Sequence, residues 1–197
     1  MDHFKKLFAT VLAVLMLAAA GPSAAGPIYH VDIDTTSLGT GNAWLGLSFL
    51  ALGGAAPASA TVSGFSGATT GAGAASGPVT GSLADSLVFT NADGGGDFVQ
   101  QIALGGKFSF DIGFAFDTGD IGSAFSWALF DDTQYLGLDG DLGTIELRPF
   151  AAPGQQFAVT PGNAFSSVNA VPEPDSILLL LTGFGVMLLA TRRRLGA

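Results

Sequence analysis

The chain of 197 residues contains no cysteine. That excludes disulfide staples, a thiol nucleophile, cysteine-based zinc sites and iron–sulfur clusters. Basic residues are nearly as scarce. Between residues 26 and 170 only Lys107 and Arg148 stand against 13 Asp and Glu, a formal charge of −11 with histidine neutral. Such a field repels phosphate backbones and anionic lipid, which argues against a nucleic-acid partner. Trp and Tyr number two each, and this region shows no apolar stripe at helical spacing. Its only histidine is His30, and no Gly-x-Ser-x-Gly elbow occurs, so a nucleophile paired with a base has no local signature. Thirteen acids give many carboxylate pairs, which sequence alone does not place.

What the chain has instead is glycine and phenylalanine, 29 and 16 residues. Glycine at that level favours turns and closely packed strands over helix. The phenylalanines show where the strands are. In Lys107–Asp117, Phe108, Phe110, Ile112, Phe114 and Phe116 alternate with Lys107, Ser109, Asp111, Gly113, Ala115 and Asp117, which predicts a strand with one buried and one wet face. Tyr29, Val31 and Ile33 alternate with His30, Asp32 and Asp34, and Leu45, Leu47 and Phe49 repeat the pattern. Ala60–Ser66, Ser86–Thr90, Phe98–Leu104, and the pairs or triplets at Phe125/Trp127/Leu129, Ile145/Leu147 and Phe157/Val159 supply further strands. Asn91–Asp97 is a strong turn signal, while Gly53–Ala60 and Gly67–Gly81 read as long loops. The sum is about eight or nine short strands, which predicts an all-β fold, an antiparallel β-sandwich with a jelly roll among its arrangements.

The two ends differ from this body. Lys5 and Lys6 precede an apolar run over Leu7–Ala20, followed by the small residues Ser23, Ala24 and Ala25. That order is a secretory signal peptide over 1–25, with cleavage between Ala25 and Gly26 by signal peptidase. At the other end, Val171-Pro172-Glu173-Pro174 precedes an apolar stretch over Ile177–Ala190 and then Arg192, Arg193 and Arg194. A helix over 176–191 would reach about 24 Å at about 1.5 Å per residue, and the arginines would extend it by snorkelling. The positive-inside rule places those arginines in the cytoplasm and the body outside. The domains expected are therefore 1–25, 26–170 and 171–197, with a signal helix and a single transmembrane helix flanking the sandwich.

The order Pro172-Glu173-Pro174, one apolar helix containing Gly183 and Gly185, and a terminal arginine cluster resembles the PEP-CTERM sorting domain, a segment also described as the C-terminal domain of ice-binding proteins. The resemblance covers about 171–195. It implies recognition by an exosortase, transient anchoring in the inner membrane, and delivery to the cell surface or the extracellular matrix. It further implies a Gram-negative producer of exopolysaccharide and an association with biofilm. The opening Gly26-Pro27-Ile28-Tyr29-His30-Val31 and the later Ala60-Thr61-Val62-Ser63-Gly64-Phe65 also resemble small PEP-CTERM proteins without assigned biochemistry.

Within the body, Asn91, Asp93 and Asp97 in a glycine-rich loop present hard oxygens at alternating positions, the pattern a calcium site uses. The same residues are ordinary turn formers, so a solvated turn is the competing reading. Asp117/Asp120, Asp131/Asp132 and Asp139/Asp141 are similar clusters, and none matches EF-hand spacing. Trp44 and Tyr135 are the candidates for stacking on a sugar, since Trp127 sits in phase with the core residues, and core or rim packing is the competing reading. The threonines are too scattered for an ice-binding array. The expectation is a non-catalytic exported surface or matrix protein; the alternative is a carbohydrate-binding module acting on the organism's own polysaccharide.

Overall fold

The computed structural model describes residues 26–171. The signal segment 1–25 with Ala25, the sorting residues Pro172, Glu173 and Pro174, the apolar span 176–191 and Arg192, Arg193 and Arg194 lie outside the described residues.

Among the described residues twelve strands form two antiparallel six-stranded sheets. The first sheet runs, edge to edge, β12 (Ser166–Val171), β1 (Ile28–Asp34), β8 (Lys107–Phe116), β3 (Ala58–Ser66), β6 (Ser86–Thr90) and β5 (Val79–Gly81). The second runs β11 (Phe157–Val159), β10 (Gly143–Leu147), β9 (Ser123–Phe130), β2 (Asn42–Ala51), β7 (Gly95–Ala103) and β4 (Ala74–Ser76). A single short 3-10 turn, Ala92–Gly94, is the only helical element among the described residues. The sandwich expectation holds, and the nine segments read from alternation are all strands. The count rises to twelve because β4 and β5 lie in the glycine-rich stretch read as loop, and β12 carries mostly polar residues. All three are edge strands with little or no buried face, so no hydrophobic period marks them. The turn at Asn91 also differs from a hairpin. β6 and β7 belong to opposite sheets, and residues 91–94 carry the chain across the sandwich.

The core follows from the alternation. Val31, Ile33, Phe108, Phe110 and Ile112 of the first sheet face Leu45, Phe49, Phe125, Trp127 and Ile145 of the second, all at most 2% exposed. β8 is central, paired to β1 on one side and β3 on the other. Phe110 meets Trp127 across the sheets edge to face, with ring centroids 6.3 Å apart at 86°. The indole N–H donates to Ser166 Oγ at 2.9 Å, so the one polar atom of Trp127 is satisfied by the opposite sheet. Gly143 makes room for that ring, since a Cβ there would stand 2.1 Å from Trp127 Cζ2. Among the described residues no buried side-chain nitrogen or oxygen lacks a hydrogen-bond partner.

Phe116 is the one member of the β8 ladder at the rim rather than inside, half-buried and packed edge to face on Phe157 at 5.5 Å. Phe110→Ala is therefore expected to destabilise residues 26–171 by about 3–5 kcal/mol in urea unfolding, whereas Phe150→Ala should stay within about 0.5 kcal/mol of the parent. Equal effects at the two positions would contradict the packing described.

Candidate functional site

With the large apolar side chains turned inward, the outer faces of the sheets carry what chemistry the body has. On the second sheet, Trp44 of β2 lies opposite Gln101 of β7 and opposite Phe130 of β9. Phe130 bridges in turn to Tyr135, their rings 6.3 Å apart at 71°. The two aromatics singled out in the sequence are thus brought together, with Phe130 between them. One step along the strands is a row of small or short residues, Val99, Gly46 and Ala128. Phe130 lies down on the glycine, where a Cβ would stand 3.0 Å from its Cε1.

The following row is polar, Asp97, Ser48, Ser126 and Thr144, and the Ser48 hydroxyl donates to Asp97 Oδ1 at 2.5 Å. At the near side the Thr70 hydroxyl donates to Gln101 Oε1 at 3.3 Å. The result is a shallow ledge with aromatic faces at one side and amide, hydroxyl and carboxylate groups beside them. Aromatic faces stack on the C–H faces of sugar rings, and fixed polar groups orient ring hydroxyls.

The first sheet's outer face holds His30. Its Nδ1–H donates to Asp111 Oδ1 at 2.6 Å from the neighbouring strand, and its Nε2 lies 3.5 Å from Asp32 Oδ1. The hydrogen bond to Asp111 is the main cause that raises the His30 pKa above its ordinary 6.5. Both ring nitrogens face carboxylates, which favours the imidazolium. His30 is a cross-strand tie. Lys107 and Arg148 are likewise taken up, by Asp34 at 3.3 Å and Glu146 at 2.6 Å.

The three residues read as calcium ligands have separate duties. The Asn91 side chain accepts from the Ala58 amide at 2.9 Å and donates to the Ala56 carbonyl at 2.6 Å and to Ser123 Oγ at 2.9 Å. It fastens the 52–57 loop to the start of β9. Asp93 sits exposed at the turn with φ 53°, and Asp97 bonds Ser48 as described. Asp131 closes its own turn, and the Thr133 hydroxyl followed by the Thr133 and Gln134 amides holds its carboxyl below the usual range. Among the described residues no three His, Asp or Glu side chains converge as metal ligands would.

A cleft between Gly64–Gly73 and Ser82–Asp85 is floored by Phe98 and Gln100. The Gln100 amide is spent on the Gly71 and Gln101 carbonyls. Gly26 and Val171 fall at one corner of the first sheet, where Val171 pairs with Ile28 and Gly26 lies against the Phe114 carbonyl. Sequence reasoning missed Phe130 and Gln101. The out-of-phase aromatic at position 130 ends a strand read as stopping at Leu129, which was the available signal.

Comparison of the chain with protein-family models, with curated proteins and with solved structures finds no match.

The His30 geometry has a pH signature. A folded pKa raised above 6.5 means the tie stabilises fully below that value and is lost as pH rises through the folded pKa. In urea titrations the stability gap between the parent and His30→Gln should be larger at pH 5.5 than at pH 8.5, and added salt should narrow it. A gap that widens toward pH 8.5 would reverse the assignment.

Proposed function

We propose that this chain is an exported, non-catalytic β-sandwich, held at the inner membrane by its C-terminal segment and then released by an exosortase to the cell surface or extracellular matrix. The observation that supports it most is the antiparallel pairing of β1 with β12, which sets Ile28 opposite Val171. A signal helix and a C-terminal span that both enter one bilayer require the ends of the folded body to leave it side by side. The β1–β12 pair meets that requirement, and residues 26–171 hold a continuous cluster of buried apolar side chains between the two sheets. Pro172 and Pro174 lack amide donors and bias their neighbours to extended backbone, which suits a protease-accessible strand directly after β12. The non-catalytic part of the reading is supported by the lack of a nucleophile motif in the sequence and by the cross-strand tie that His30 makes to Asp111.

A second reading, a carbohydrate-binding module, is favoured by the Gln101–Trp44–Phe130–Tyr135 row on the second sheet. The strand orders β1-β8-β3-β6 and β2-β7-β4 support a jelly-roll reading, in which β5 would lie beside β4 rather than beside β6. That frame is shared by lectin domains, and fold by itself assigns no ligand. A body charge of −11 selects a neutral glycan over an anionic one.

Two outcomes are expected. Mass spectrometry of protein recovered from cell and medium fractions should find an N-terminus at Gly26 and no Leu195-Gly196-Ala197, while Glu173→Ala should retain the tail. A surface-exposed form that keeps those last residues makes the segment a plain anchor. In affinity electrophoresis, neutral polysaccharide should retard the protein, and Trp44→Ala should weaken retention several-fold, as the loss of about 1 kcal/mol of stacking implies. His30→Gln, on the opposite sheet, should bind like the parent. Indifference to every neutral polysaccharide removes the second reading.

A further inference from the structure

The exposed apolar side chains of the body are unevenly placed. Leu50 lies near the end of β2 and Leu52 just beyond it, Ile121 precedes β9, and Phe150 follows β10; their exposures are 51%, 77%, 37% and 64%. These four line one shallow groove. Ile28 and Val171, also exposed, open β1 and close β12. All six lie at the same end of the sandwich. The crossings 52–57, 91–94 and 117–122 each join the two sheets there, and Leu147 of β10 pairs with Ser123 at the start of β9. The opposite end carries only Tyr135 and Leu138 among the exposed large apolar residues described.

We propose that this end of the sandwich rests on the bilayer surface while the C-terminal segment is inserted, with Leu50, Leu52, Ile121 and Phe150 dipping into the lipid interface. The inference rests on the tethered reading above. The occupant is argued from tether length. Only residues 172–176 separate Val171 from the apolar stretch that begins at Ile177. Five residues span at most about 18 Å fully extended. A domain of this length has a radius of gyration of about 15 Å, so so short a tether does not let this end turn away from the membrane. The headgroup layer adds several ångströms on each side of the hydrocarbon, which brings lipid to the groove. Apolar side chains confined there gain by leaving water.

The charges nearby select the lipid. Asp93, Asp117 and Asp120 are exposed at this end, and among the described residues its one cationic side chain, Arg148, is already paired with Glu146. The favoured surface is therefore zwitterionic, and anionic lipid weakens the contact.

The absence of cysteine makes the test direct. Single-cysteine variants of the full chain, Leu52→Cys, Phe150→Cys, Leu138→Cys and Val186→Cys, are labelled with nitrobenzoxadiazole and reconstituted in phosphatidylcholine vesicles. Labels at 52 and 150 should shift to the blue and be quenched by spin-labelled lipid several-fold more than the label at 138. Replacing part of the phosphatidylcholine with phosphatidylglycerol should reduce that difference. If 186 is quenched while 52 and 150 behave like 138, the tether stands and this inference is wrong. If 186 is not quenched either, the tethered reading fails and the inference falls with it. A shift at 52 and 150 that depends on the protein-to-lipid ratio identifies a second copy of the chain as the occupant and overturns the lipid assignment.

Discussion

Everything in this body hangs on the burial of one face of β8 between two sheets. Phe108, Phe110, Ile112 and Phe114 project to one side, and β1 and β3 flank them with Val31, Ile33, Ala60 and Val62. None of those side chains is stable in water as a single sheet face, so a second sheet must cover them. A slip of one residue in register would send the phenylalanines outward and bring Asp111 and Lys107 inward, which locks the pairing. The Trp127–Ser166 hydrogen bond then joins the sheets through the interior at no cost in unsatisfied polar atoms.

That inward commitment of apolar area determines what is left for function. The outer face of the first sheet is hydroxyls and carboxylates tied by His30 and Asp111, while the outer face of the second carries the aromatic row beside Ser48 and Asp97. The two faces are chemically distinct although both belong to strands of the same alternation. Lys107 and Arg148 are held in ion pairs, so the negative field of the body reaches its surroundings with little local relief. Such a surface repels an anionic polymer.

Loops at one end of the sandwich are pulled together by Asn91, whose amide bonds the 52–57 segment and Ser123. The same end carries both chain exits and most of the exposed large apolar side chains. A residue that looked like a metal ligand in the sequence thus organises the end of the sandwich where β1 begins and β12 ends. Asn combines an acceptor and two donors in one rigid group, which serves three-way loop fastening as readily as it serves calcium.

The nine principal strands, the identity of the core and the phase of Trp127 were legible in the chain itself, because period-two alternation of large apolar residues has one physical solution. The composition of the ends was equally legible, being a matter of runs and charges. β4, β5 and β12 were not, since edge strands bury little or nothing and are held by backbone bonds that any small residue can make. Nor was the crossing at Asn91, where the same turn residues serve a hairpin or a passage between sheets and only the packing of β6 and β7 on opposite sides decides. The meeting of Trp44 with Phe130 and Tyr135, 86 and 91 positions away in sequence, depends on β2 lying beside β9. Strand order is set by which faces best fill the core together, a collective quantity that no local stretch of sequence carries.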